Sequence, residues 1–388
     1  MKKFLALLLA LCMVFALCAC ASKEDTQPAN DNADDAEEAA YQVAMITDYG
    51  DITDQSFNQT TYEACKEFCA DNDIDFTYFK PASDSDEDRI GMIESAIDEG
   101  YNVIVMPGYA FANAIKATAE EYPDVTFIAL DVGAGDLGDD YEVPANLYCA
   151  VYQEELCGYM AGYAAVKLGY TKLGFLGGMA VPAVVRYGYG FVQGADAAAA
   201  ELGLKDVEIN YAYGNQFFGD ADLTAAMDTW YAGGTEVVFA CGGGIFTSAV
   251  DAAVKADGKV IGVDVDQAGV IATYAAGEDG DPAEFEGLTV TSAMKGLAPT
   301  VKTLLTAVLD GSFEGGKIDT LGLVSEVPAE NYVQIAGSTQ FGEGFTEDDY
   351  NALVAALYAG DIEVSNDIDA TAADMATVVA VNDLGNLK

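Results

Sequence analysis

Eight short runs rich in β-branched and aromatic residues, set between longer stretches of helical periodicity, constrain this chain more than any other feature. The runs are VAMITD (43–48), FTYFKP (76–81), VIVMPG (103–108) and TFIALD (126–131), then LGFLGG (173–178), INYAYG (209–214), VVFACGG (237–243) and VIGVD (260–264). Their starts lie 33, 27 and 23 residues apart in the first set and 36, 28 and 23 in the second. Strand and helix alternating at this spacing predict βαβ units, hence an α/β chain with parallel sheets. The repeat of the spacing predicts a duplication into two doubly wound parallel-sheet lobes.

Strands three and four of each set end alike, with Gly108 matching Gly242 and Gly243, and Asp131 matching Asp264. Ligands of open parallel sheets bind beyond the carboxyl ends of the strands. Two such sheets facing each other would put Asp131 and Asp264 on opposite walls of one cleft; the alternative is that each aspartate caps the next turn. After Asp264 come an acidic loop, GEDGDPAEFEG, a ninth strand, LTVTSAMK (288–295), and a helix around PTVKTLLTAVLDG. An extra strand and helix after two complete halves predict that the chain crosses back, so 41–149 with 268–318 form lobe 1 and 150–267 with 319–388 form lobe 2. Several crossings make a multi-strand hinge. The stretch 150–169, AVYQEELCGYMAGYAAVKLG, reads as a helix with small residues on several faces, suited to packing between layers.

Charge narrows the function. Asp and Glu number 64 against 17 Lys and Arg, a net charge of −47, and there is no His. Such a surface repels phosphate backbones and anionic headgroups, which excludes nucleic acid as a partner. Lacking histidine, the chain lacks the commonest general base and zinc ligand. No nucleophile–base pair and no carboxylate cluster at metal spacing is visible, so the expectation is a binding protein with no metal and no cofactor, not an enzyme. Cys65 and Cys69 fall one helical turn apart in apolar surroundings and read as small buried hydrophobes, with a disulfide as the alternative.

Residues 1–19 open with two lysines and continue through an apolar run too short for a spanning helix, the layout of a secretory signal. Leu17-Cys18-Ala19-Cys20 resembles a bacterial lipobox, which would make Cys20 the first mature residue and the site of lipidation. Residues 21–40 hold seven acids, one Lys and no hydrophobe larger than Ala. With Cys20 they read as a disordered acidic tether over 20–40, spanning on the order of 25 Å as a flexible coil. The expected location is the extracytoplasmic face of a cell membrane, held by the lipid.

Three motif matches carry no function. Gly133-Ala-Gly135-Asp-Leu-Gly138 fits a dinucleotide fingerprint but leads into DDYEVP rather than a helix. The run 311–317 nearly fits a phosphate-binding loop, yet Ile318 stands where a magnesium-binding hydroxyl belongs, and the run follows a helix. Asp84, Asp86 and Asp88 begin like a calcium loop, but Arg89 and Ser95 occupy the positions that need Gly and Glu. Ser85 and Asp88 fit a helix start instead.

The segment ITDYGDITDQSFNQTTYEACKEF, 46–68, sets Asp48, Asp54, Phe57 and Asn58 in the loop between strand one and helix one, the ligand edge of the first lobe. With Asp54-Gln55-Ser56-Phe57-Asn58-Gln59, GFLGGMAVPAVVRYGYGF (174–191), IGVDVDQ (261–267) and LTVTSAMK (288–295), the chain resembles the basic membrane protein (BMP) family over nearly all of 43–330. Members are substrate-binding lipoproteins of the purine nucleoside receptor type that serve ATP-binding-cassette (ABC) importers. The resemblance implies a type I periplasmic-binding-protein fold, two lobes joined by three crossing segments and closing over a ligand. It implies two aromatics sandwiching a purine: Phe57, and Phe218 in NQFFGDAD with Phe217 the alternative. Asp48, Asn58 and Asp131 would be the polar contacts of the first lobe, with Asp264 or Asp266 and Lys295 near the ribose. The implied partners are a small-molecule ligand and an ABC permease with its ATPase subunits.

The chemistry supports that choice of side chains. A purine offers two π faces and a donor–acceptor edge, so aromatics can fix its plane while an amide or carboxylate reads the edge. Vicinal hydroxyls donate to Asp and accept from Lys. Gln55 and Tyr49-Gly50 depart from the family's usual loop, so the alternatives are a sugar, autoinducer or riboflavin in the same fold, or an extracytoplasmic nucleoside hydrolase.

Overall fold

The structure is a computed structural model and describes residues 41–138 and 140–388; the signal segment, the tether and Cys20 lie outside the described residues. In the first half the elements are β1 (Gln42–Ile46), α1 (Phe57–Asp71), β2 (Asp75–Phe79), α2 (Asp86–Asp98), β3 (Val103–Pro107), α3 (Ala112–Thr118), β4 (Thr126–Leu130), α4 (Ala134–Leu137) and β5 (Leu147–Tyr152). The second half has α5 (Glu154–Lys167), β6 (Lys172–Gly177), α6 (Pro182–Leu202), β7 (Glu208–Tyr213), α7 (Ala221–Ala232), β8 (Val237–Cys241), α8 (Phe246–Ala256), β9 (Lys259–Asp264), α9 (Ala268–Ala276) and β10 (Thr289–Lys295). There follow α10 (Leu297–Leu309), β11 (Lys317–Leu321), β12 (Val333–Ile335), α11 (Glu347–Ala359) and β13 (Ala380–Asn386).

The strands form two sheets, ordered β11-β5-β4-β3-β1-β2 and β12-β10-β9-β8-β6-β7-β13. All pairs are parallel except β10 with β12. Five strands of each half run in the same doubly wound order, with β1–β5 corresponding to β6–β10, so the duplication is one of topology. Parallel strands covered on both faces read as continuous apolar runs, and β3 and β8 are buried at every position.

Three expectations change. Residues 150–152 end strand β5, which pairs with β4 and β11, and the helix begins only at Glu154. The strand 289–295 is the fifth strand of the second sheet, not a return to the first, because it pairs in parallel with β9. Accordingly the chain crosses after Tyr152, again between Lys295 and Leu297 as α10 packs on α1, and a third time between Leu321 and Val333. The boundaries 149/150, 267/268 and 318/319 shift because strand pairing, which local sequence does not encode, decides lobe membership.

The crossings are hydrogen-bonded to one another. Gln153 N–H donates to Leu321 O (3.0 Å), Tyr332 N–H to Gly322 O (3.0 Å) and Gly296 N–H to Tyr332 O (2.7 Å). Next to this hinge α5 and α6 pack backbone to backbone. A Cβ on Gly162 would lie 2.0 Å from Phe191 O, and one on Gly194 would lie 1.9 Å from Tyr159 O, so only glycine permits the contact. At α2, Ser85 accepts from Asp88 N–H (3.2 Å) as the helix cap, and the calcium-like acids Asp84 and Asp86 pair with buried Arg89. Cys65 and Cys69 are buried free thiols.

Candidate ligand-binding site

Between the carboxyl edges of the two sheets lies a cavity of about 690 Å³, lined by residues of both lobes, within the roughly 300–1,000 Å³ typical of small-molecule sites. Asp48, Phe57, Asn58, Asp131, Phe218, Asp264 and Lys295 all line it. Asp266 does not: it accepts from Ser338 Oγ (2.6 Å) and from the Ala268 N–H (3.2 Å).

The loop before α1 is organised by Asp54. Its carboxylate accepts from the N–H groups of Ser56 (2.9 Å), Asn58 (2.9 Å) and Gln59 (3.0 Å), satisfying donors that a helix start otherwise leaves free. Asp54 thus does the capping, and Asn58 is released from it. The Asn58 amide donates to Asp54 (3.1 Å), while its Oδ1 is buried with no partner. Asp48 Oδ1 accepts from the Tyr49 and Gly50 N–H groups, both at 2.7 Å, and burial pushes its pKa up. These groups bring acceptors and amides to the wall formed by the first lobe.

Opposite them, the loop after β7 carries Phe217 and Phe218. Phe217 fills a notch made by glycine: a Cβ on Gly178 would fall 2.4 Å from its ring, and one on Gly242 would fall 2.9 Å away. Gly244 N–H donates to Phe217 O (2.9 Å), fixing the loop on the end of β8. Phe218 is 59% exposed and lines the cavity. An aromatic left that open on a cavity wall is available to a ligand face.

At the hinge end sits the charge centre. Lys295 is buried, with its ammonium 2.5 Å from Asp131, 3.5 Å from Glu154 and 3.8 Å from Asp264. It also lies over the rings of Phe57 (4.7 Å), Tyr152 (5.5 Å) and Tyr187 (5.7 Å). Ser56 Oγ donates to Asp264 Oδ2 (2.6 Å) and Tyr187 OH to its Oδ1 (3.3 Å); Arg186 Nε donates to Glu154 (2.7 Å). Asp131 and Asp264 both hold left-handed backbone, φ 59° and 65°, at matching strand ends of the two halves. Such geometry is disfavoured outside glycine and is tolerated best by Asn and Asp. Burial raises the Asp131 pKa to about 6 against the pull of Lys295, with Glu154 adding repulsion, while the three carboxylates hold Lys295 firmly protonated.

The sequence reading missed Glu154, Arg186 and Tyr187. A paired Glu154-Glu155 looks like ordinary helix N-terminal charge; the only signal for the others was an Arg-Tyr pair inside an apolar helix. It also expected no helix at 133–138, whereas the four-residue α4 lies there, with Asp136 accepting from Gly133 N–H (2.8 Å). Every described cation lining the cavity already has a carboxylate: Lys80 with Asp51 (2.9 Å), Arg186 with Glu154, and Lys295 with three. The described lining therefore offers an anion no cation that is not already engaged by a carboxylate.

Glu155, buried beside Glu154, has its pKa raised to about 7, chiefly by burial. A raised carboxyl means the folded state holds a proton that the unfolded chain, titrating near 4.3, has lost. Its effect is absent below that value, and stability falls as pH rises through about 7. The Tm of Glu155→Gln is expected to decline less between pH 5 and pH 8 than that of the parent; parallel curves in thermal unfolding would refute this.

Residues 41–333 match the Bmp family, described as ABC transporter substrate-binding protein PnrA-like. The ABC transporter nucleoside-binding protein BmpA of Lactococcus lactis is 29% identical over 294 residues, 72% of this chain and 78% of the relative. Among solved structures, an ABC transporter solute-binding protein from Conexibacter woesei superposes with a TM-score of 0.63 at 24% identity, covering 84% of this chain and 99% of that one. Another from Aeropyrum pernix gives 0.64 at 20%, covering 86% and 90%. Both likenesses concern the fold alone, two α/β lobes with parallel sheets.

Proposed function

Because the chain belongs to the Bmp family of PnrA-like ABC transporter substrate-binding proteins, we propose that its ligand is a purine nucleoside, captured between the lobes and released unchanged to a membrane permease and its ATPase subunits. The observation that carries this reading is the cavity itself. Phe57 and Phe218 line it from opposite lobes, Asp48, Asn58, Asp131 and Asp264 add polar side chains to its wall, and every described lining cation is already paired. Two rings suit a flat base, the lining amide and carboxylates suit its donors and the ribose hydroxyls, and the balance of charge disfavours a phosphate. The name of the Lactococcus relative points the same way. Ligand touching both lobes can shift an open–closed equilibrium, the only conformational work a carrier needs. Cys241, the thiol on the cavity wall, is kept neutral by burial, which favours binding over nucleophilic chemistry.

A thermal-shift panel of nucleosides, free bases, riboflavin and pentoses tests the assignment. A nucleoside at one hundred times its dissociation constant stabilises by roughly 2.7 kcal/mol, and a shift with riboflavin or a pentose alone would overturn the reading. We place the mature protein on the extracytoplasmic face of the membrane, anchored through lipidated Cys20. Among the described residues no helix is long and apolar enough to span a bilayer. Cys20→Ser is expected to release the protein from the membrane fraction, and equal retention would refute lipid anchoring there.

A further inference from the structure

Residues beyond 333 lie outside the family match, yet the last stretch of the chain returns to the cavity. After α11 it runs along one face of α6, held by three side chains at helical spacing. Gln193 donates to Ser365 O (2.9 Å) and accepts from Ser365 N–H (2.8 Å), and Tyr189 OH donates to Ala370 O (2.7 Å). Asp196 accepts from the N–H groups of Thr377 (2.9 Å), Val378 (2.6 Å) and Val379 (2.9 Å). Residues three and four apart share a helix face, so Tyr189, Gln193 and Asp196 form one stripe that grips backbone. Between the first two anchor points Ile368 is 40% exposed and lines the cavity.

The chain then adds β13 to β7, and Leu387 N–H donates to Tyr213 O (2.9 Å). This register carries Lys388 to the loop that follows β7. Its ammonium pairs with Asp220 and donates to Gln216 Oε1 (3.3 Å). Asp220 gathers the loop: it caps α7 by accepting from Asp222 and Leu223 N–H groups, both at 3.0 Å, and accepts from Gln216 Nε2 (2.8 Å). Gln216 Nε2 also donates to Phe218 O (2.8 Å).

We infer that residues 361–388 are a positioning element of the cleft, in which Ile368 supplies part of the apolar wall and Lys388 fixes the loop that presents Phe217 and Phe218. A charge at the end of an edge strand thereby sets the mobility of the second-lobe aromatic, and through it the residence time of a ligand. The expected ligand class rests on the nucleoside reading; the positioning role does not.

Two point variants in the full chain test it. In Lys388→Gln, amide hydrogen exchange over 215–220 is expected to speed up at least threefold without ligand, while the amides of β6 and β8 keep their rates; Lys388→Arg restores protection. Inosine should dissociate several-fold faster from Lys388→Gln at nearly unchanged Tm. Ile368→Trp should change the ratio of inosine to hypoxanthine affinity at least fivefold. Wild-type exchange at 215–220 in Lys388→Gln, or an unchanged ratio in Ile368→Trp, overturns the inference. A parent protein that binds no nucleoside overturns the nucleoside reading instead, and the exchange measurement then decides this one.

Discussion

Replacing Lys295 by Met is expected to lower stability at pH 7 by about 3–5 kcal/mol, the usual cost of removing one partner from a buried ion pair. The reason is what remains. Asp131, Glu154 and Asp264 all reach the same ammonium, and Glu154 and Asp264 are themselves buried. Without it the cluster keeps Arg186, paired with Glu154, and the neutral hydroxyls of Ser56 and Tyr187 on Asp264, which together do not replace a buried ammonium. For a chain of this size the loss corresponds to a drop in Tm of roughly 4–6 °C. Since the Asp131 carboxyl already has a raised pKa, protonation should relieve the repulsion, so the deficit is expected to shrink as pH falls from 7 to 5. A packing defect would not recover in that way. Thermal unfolding of parent and Lys295→Met across this pH range checks the claim, and a Tm at pH 7 within 1–2 °C of the parent's would contradict it.

Removing both rings, Phe57→Ala with Phe218→Ala, is expected to weaken purine nucleoside binding about a hundredfold, with each single variant losing about tenfold, or roughly 1.4 kcal/mol. Stacking is worth about 1 kcal/mol per ring beyond the area buried. The two rings stand on different lobes and are held by different means, Phe57 at the start of α1 and Phe218 in a loop tied to the glycines after β8. Both rings would stack on the same base, so the double variant reports whether both faces are covered, and a loss well short of the product of the single losses would mark coupling through the shared ligand. Phe218, being exposed, should be lost without cost to folding. Phe57 also lies beneath the Lys295 ammonium, so a modest fall in Tm should accompany its loss. Calorimetry on folded protein provides the readout, and an unchanged affinity in Phe57→Ala would remove the clamp.

The repeating strand pattern made the architecture legible, because parallel strands buried on both faces stand out as apolar runs. β5 was hidden because LYCAVY passes into an Ala- and Gly-rich helix with only Gln153 between them. β13, AVNDLGN, is an exposed edge strand without apolar alternation, and β12 has only three residues. The seven side chains that the resemblance implied all line one cavity, and the matched strand ends placed Asp131 and Asp264 on it. Nothing local could announce that Lys295 would be buried among acids 31 to 164 residues away in sequence, nor that residues beyond the matched region would fold back onto the cleft.

If the cleft takes a neutral nucleoside between its two lobes, calorimetric titration should separate inosine from its 5′-monophosphate. Inosine is expected to bind at a single site. The monophosphate should bind at least tenfold more weakly, because its charge would enter a cavity whose lining cations are already paired with Asp51, Glu154, Asp131 and Asp264. Equal affinity for the two, or binding of the monophosphate alone, would mean that the cleft is not built for a neutral nucleoside.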